Sequence, residues 1–98
     1  MEKILCAAIW YNDGIVHVHQ PKNVSIGFVI CGRRHHNCYA TAGVFGLAPG
    51  AYEHEQGFVT TEDRFVLRPE AYNIAVAAGQ LIHEGDCKIH VLISEDLY

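Results

Sequence analysis

Cys31-Gly32-Arg33-Arg34-His35-His36-Asn37-Cys38-Tyr39 constrains this chain more than any other stretch. It follows the apolar run Ile26-Gly27-Phe28-Val29-Ile30, which reads as a buried strand, and it opens a stretch of helical character. A strand therefore hands over to a helix at a point carrying two arginines and two imidazoles. Helix starts present unpaired backbone N–H groups and a partial positive charge, so anions settle there. Two guanidiniums, each a planar fork matched to phosphate oxygens, strengthen that preference. A solvated basic turn is the plain alternative, because a short motif is weak by itself.

The rest of the chain limits what can be built around this handover. Its 98 residues suffice for one small domain, 1–98, with a single core. Half the residues are apolar and only 18% are charged, rich for a body with so much surface per unit volume. Part of that apolar excess is expected to lie exposed on a single chain and to be covered in a homo-oligomer. The net charge of −4 argues against duplex nucleic acid, which wants a broadly basic face. Local basicity in an acidic body suits a small anion instead. Cys6, Cys31, Cys38 and Cys87 are scattered, as reduced thiols are, so a cytoplasmic protein is expected. Met1-Glu2-Lys3 leads straight into the apolar run Ile4 to Trp10, too short to span a bilayer, so neither a leader nor a membrane is expected.

Lys3 to Tyr11 reads as a first strand. Asn12-Asp13-Gly14 is a turn signal, and Ile15-Val16-His17-Val18-His19 alternates after it, which predicts a hairpin. Ser25 to Cys31 makes a third strand, alternating so poorly that both faces are expected to be covered. His35 to Phe45 predicts a helix stopped near Gly46 and Pro49-Gly50. Ala48 to Gln56 reads as a polar loop, Gly57 to Thr61 as a strand, and Arg64 to Leu67 as an extended piece. Arg68-Pro69-Glu70-Ala71 has proline and an acid in a first helical turn. Ala71, Ile74, Ala75 and Ala78 mark a core-facing stripe ending at Gly79. Cys87 to Ile93 is an apolar last strand. The expected fold is α+β, a small antiparallel or mixed sheet of about five strands with two helices in the order β-β-β-α-β-α-β.

Candidate chemistry narrows quickly. Zinc needs closely paired ligands, and neither His17-x-His19, the adjacent His35-His36 nor the wide gap from Cys31 to Cys38 supplies them. A cluster of His17, His19 and His90 requires neighbouring strands, where histidines more often pack, so no metal is expected. Ser25 and Ser94 have no local base or Gly-x-Ser-x-Gly turn. Cys38 could be activated by His35 or His36, but it falls on the core side of its helix. Glu53/Glu55, Glu62/Asp63 and Glu95/Asp96 read as solvated turns. The second basic cluster, Arg64-Phe65-Val66-x-Arg68, precedes another helix start. Arg64 or Arg68 joined to Arg33 and Arg34 would surround a diphosphate, with Phe58, Tyr39 and Tyr52 offering rings to a base. Without a Walker loop or Gly-x-Gly-x-x-Gly, no cofactor fold is implied.

These segments carry a resemblance. Ile4 to Trp10, His19-Gln20-Pro21-Lys22-Asn23, Gly27 to Cys38, Gln56 to Thr61, Asp63-Arg64-Phe65-Val66-x-Arg68-x-Glu70-Ala71, Ala78-Gly79-Gln80 and Ser94-Glu95-Asp96-Leu97-Tyr98 resemble the first family of Thoeris anti-defence proteins of phages, from end to end. The resemblance implies a molecular sponge that binds and sequesters a cyclic ADP-ribose isomer without cleaving it, in the cytoplasm of the infected bacterium. The host makes that signal from NAD to trigger a lethal effector. Some members of that family also hold cyclic oligonucleotides at a second site of a hexamer built from dimers. Carried over residue by residue, the resemblance implies Arg33, Arg34, His35, His36, Phe58, Arg64, Phe65 and Arg68 as ligand contacts, and no catalytic residue. This chain departs at Ala48 to Tyr52 and at Ile82 to Asp86, which leaves the ligand preference open. Two other classes stay open: a small nucleotide-acting hydrolase or cyclase with His35 or His36 as base, and an inhibitor that blocks a protein through an apolar face.

Overall fold

The computed structural model describes residues 1–47 and 52–80. Strand β1 (Ile4–Asn12) lies inside the sheet, with β2 (Phe28–Gly32) antiparallel on one edge and β3 (Glu53–Thr60) antiparallel on the other. A short β4 (Phe65–Leu67) joins the far side of β3, giving the order β2-β1-β3-β4. Helix α1 (His35–Val44) follows β2, and α2 (Arg68–Ala77) follows β4 without a break. The α+β class stands, with two helices and four antiparallel strands among the described residues.

Register decides which side chains meet. Gly32, Ala7, Phe58 and Val66 form one row across all four strands, so their side chains point to one face. Ile9, Tyr11, Ile30 and Phe28 lie on that face too, because residues two apart share a side. Both helices pack there: Cys38 and Ala42 of α1, with Ala71 and Ala75 of α2, join Ala7, Ile9, Phe58 and Val66 in one buried cluster. The buried apolar helix residues Cys38, Ala42, Ala71 and Ala75 are small, and Tyr72 and Ile74 of α2 pack against the cluster beside them. Phe58 and Ile9 have no exposed surface, and each contributes about 1.5–3 kcal/mol by burial. The opposite face carries no helix among the described residues.

The helices start and stop as the sequence predicts. Proline sits in the first turn of α2, Glu70 beside it, and Gly79 takes φ +69° just beyond the end. Gly46, at φ +78°, closes α1 in the same way.

The hairpin does not form. Ile15 to His19 is exposed and irregular, touching the sheet only through an isolated bridge from Val16 to Gly27. Both edges of β1 are already filled, so no slot remains beside it. The turn residues also bind their own backbone: Asn12 Oδ1 accepts from Gly14 N–H, and Asp13 Oδ1 accepts from Ile15 N–H. Gly27 lets the returning chain press against β1, since a Cβ there would lie 2.3 Å from Tyr11 O and 2.7 Å from Trp10 Nε1. The third predicted strand is narrower than expected and lies at one edge of the sheet among the described residues, half-buried, with Cys31 exposed. Part of the predicted polar loop is strand: β3 begins at Glu53, four residues before Gly57. The predicted strand Cys87 to Ile93 lies outside the described residues.

Candidate functional site

At the start of α1 the N-cap position is Arg34, in extended backbone. A guanidinium cannot accept a hydrogen bond, so the cap is supplied from the other side. The backbone N–H of Arg34 donates to Asn37 Oδ1 at 3.1 Å. The first turn of α1 contains no acid, and Arg33 and His36 stand exposed beside it. A helix start flanked by cations, with no acid in its own first turn, is a favourable place for an anion.

His35 and Phe58 turn inward instead. His35 is 9% exposed, and its Nε2–H donates to the carbonyl of Gly57 at 2.8 Å. That bond fixes Nε2 as a protonated nitrogen. The same ring stands edge-on to Phe58, with centroids 5.1 Å apart at 81°. In the single chain neither residue offers surface to a ligand. Cys38 is equally withdrawn: its thiol lies 3.6 Å from the Ala7 carbonyl, and burial pushes its pKa up to about 11. A thiol held that high is a poor nucleophile.

The start of α2 leads into a row of polar side chains. Arg68 Nη2–H donates to Gln56 Oε1, Gln56 Nε2–H donates to the Tyr39 hydroxyl at 2.9 Å, and that hydroxyl lies 3.2 Å from His54 Nε2. His54 Nδ1 lies 3.3 Å from the Tyr52 carbonyl, which can only accept. Nδ1 therefore carries the proton, Nε2 accepts, and the Tyr39 hydroxyl donates to it. The row links α2 to α1 over β3. His35 is anchored on Gly57 and Arg68 on the neighbouring Gln56, so the two helix starts are tied to consecutive residues of β3. Tyr11 stacks on His54 and on Phe28 with centroids 5.5 and 5.4 Å apart, continuing the row as aromatic rings.

Arg64 has a different task. Its Nε and Nη2 grip both oxygens of Glu2 at 2.9 and 2.7 Å, and Nη1 reaches Glu70 at 3.0 Å. The Thr60 hydroxyl donates to Glu2 as well, at 2.6 Å. Hydrogen bonds from Arg64 first, then Thr60, hold the Glu2 carboxyl down at about 2, and Arg64 is raised in return. Glu70 also supplies α2 with an anion in its first turn, which α1 lacks. Phe65 lies on the opposite face of the sheet, half-buried in the wall of a cavity of about 260 Å³ shared with Trp10 and Glu55.

The expected contacts thus divide by location. Arg33, Arg34 and His36 gather at the start of α1, Arg68 is coupled to α1 through Gln56, His35 and Phe58 lie in the core, and Arg64 and Phe65 lie apart from them. Gln56, His54 and Glu2 were not singled out from the sequence. Glu53-His54-Glu55-Gln56 is polar throughout, so no apolar alternation in the sequence could have placed the first two on one strand face. Among the described residues no group of three or more His, Cys, Asp and Glu side chains could hold a metal ion. No helix there is long and apolar enough to cross a membrane.

Fold and site together define a small two-layer α+β protein whose two helix starts meet over one strand. The chain belongs to the phage T4 y16D protein family, matched over residues 3–98. Comparison with curated proteins and with solved structures gave no match.

Proposed function

We propose that this phage-family protein is a sponge that binds a cyclic ADP-ribose isomer and holds it unaltered, lowering the free signal of a bacterial defence. The observation that carries the reading is the start of α1: Arg33, Arg34 and His36 surround a helix N-terminus without an acid in its first turn. The pyrophosphate of the ligand sits there, with Arg33 and His36 reaching it from the exposed side. Arg68 stands at the neighbouring helix start, and the rings of Tyr39 and His54 lie within the same polar row for the base and riboses.

Binding without turnover is favoured by the state of the residues an enzyme would use. His35 is committed to the Gly57 carbonyl, which withdraws one of the two bases named for the hydrolase or cyclase alternative, and Cys38, buried with a raised pKa, is a poor nucleophile. His36 keeps that alternative open to test. A homo-oligomer is part of the proposal. Val44 and Phe45 at the end of α1 are 83% and 74% exposed, surface that a second copy would cover. Cyclic oligonucleotides at a separate site of such an assembly remain a second ligand class to assay.

Sequestration demands tight, slow binding, and nanomolar affinity corresponds to about 12 kcal/mol. Native mass spectrometry with a cyclic ADP-ribose isomer reads stoichiometry and oligomeric state together, and heating the complex releases the ligand for analysis. Intact ligand is expected. Arg33→Ala is expected to weaken binding by about 1.5–3 kcal/mol, the loss of one charged hydrogen bond. A changed product, or no bound ligand at micromolar protein, overturns the proposal.

A further inference from the structure

The cavity on the open face of the sheet places a carboxylate between two aromatic side chains. Trp10 and Glu55 are directly opposed across β1 and β3, so their side chains share a face about 5 Å apart at Cβ. Phe65 reaches the same place from β4. It is opposed to Val59, yet its ring leans back over Gly57, where a Cβ would lie 2.7 Å from the Phe65 Cζ. Only bare backbone at position 57 lets the ring lie towards Glu55.

The remaining wall is the segment before β2, and it is fixed in advance. Asn23 brackets the backbone of Phe65, its Nδ2–H donating to the carbonyl at 2.7 Å and its Oδ1 accepting from the N–H at 2.8 Å. The indole Nε1–H of Trp10 donates to the Ile26 carbonyl at 2.9 Å. Val24, Ile26 and Leu67 add apolar surface to a space of about 260 Å³. Such a site has its walls set before a ligand arrives.

Charge decides what it takes. No lysine or arginine among the described residues lines the cavity, and Glu55 enters no ion pair there. Glu53, two residues earlier on the same strand face, adds a second exposed carboxylate. An anion would be repelled and a neutral guest would leave the carboxylate unused. A cation gains from both the carboxylate and the electron-rich ring faces.

We propose that this cavity binds a small alkylated ammonium ion, with Glu55 as counter-charge and the rings of Trp10 and Phe65 as walls. Methyl groups on the nitrogen match Val24, Ile26 and Leu67, which offer nothing to a strongly hydrated primary amine. The site lies on the opposite face from the start of α1 and does not depend on the sponge reading.

Trp10 is the only tryptophan, so its emission reports occupancy directly. The full chain is titrated with choline and, in parallel, with the uncharged tert-butyl analogue of choline. A saturable change with choline is expected, at least about tenfold weaker with the neutral analogue. Glu55→Gln is expected to weaken choline about tenfold at an unchanged melting temperature. Phe65→Leu, which keeps an apolar wall but removes the ring, is expected to weaken choline and spare the neutral analogue. Equal binding of both compounds, undiminished choline binding by Glu55→Gln, or no response to choline overturns the assignment.

Discussion

Polar side chains on the helix-bearing face of the sheet are held by one another, whereas on the other face they border an open cavity. His35 and Phe58 looked like ligand-binding residues by type, and on the covered face they become packing. Glu55 looked like a solvated turn residue, and on the open face it stands between two rings. The difference shows that residue type proposes chemistry, but the strand face it falls on decides whether that chemistry is available. His35 and His36, adjacent in sequence, make the same point at the start of α1: one is locked to Gly57 and the other is exposed.

The comparison breaks if the two faces respond alike. Phe58→Ala, in a fully buried site, is expected to cost about 3–5 kcal/mol in denaturant unfolding. Phe65→Ala, half-buried, is expected to cost roughly 1–2 kcal/mol. Equal losses would mean that the open face is as tightly packed as the covered one. Next in size, His35→Ala leaves the Gly57 carbonyl buried without its donor, a loss of about 1–3 kcal/mol, while His36→Ala stays within about 0.5 kcal/mol. Matching melting temperatures for those two variants would refute the inward assignment of His35.

A smaller effect sharpens the role of Arg64. The Glu2 carboxyl is held at about 2 against an ordinary value of 4.5, so the folded state favours its ionised form. Its contribution is full above pH 4.5 and fades as the pH falls towards 2. Glu2→Gln is therefore expected to flatten the acid limb of a plot of melting temperature against pH. Parallel acid limbs in variant and parent would show that the clamp adds no stability.

Much of the fold was legible because its signals were local. The apolar run of β1, the proline and acid opening α2, and the glycine beyond each helix each act within a turn or two of chain. The hairpin was misread for a non-local reason: Asn12-Asp13-Gly14 does turn, but β1 has both edges occupied by β2 and β3, which no local window reveals. The first half of β3 was missed because His54 and Gln56 face the helices as polar groups, so the alternation carries no hydrophobic contrast. The basic handover at Arg33 to His36 was placed correctly at a helix start. The clamp on Arg64 was invisible, because its partner Glu2 is distant in sequence and unremarkable in composition.

The amide side chain of Gln80 both donates to the Ile4 carbonyl and accepts from the Ile4 N–H, each at 2.8 Å, where β1 departs from regular register with β3. Residue 80 therefore finishes the opening of the strand that begins at residue 4. During synthesis this apolar strand is made well before residue 80 and waits for the other described elements before its own first residue is satisfied. Nascent chains shorter than that expose an unclosed strand, a natural substrate for chaperones.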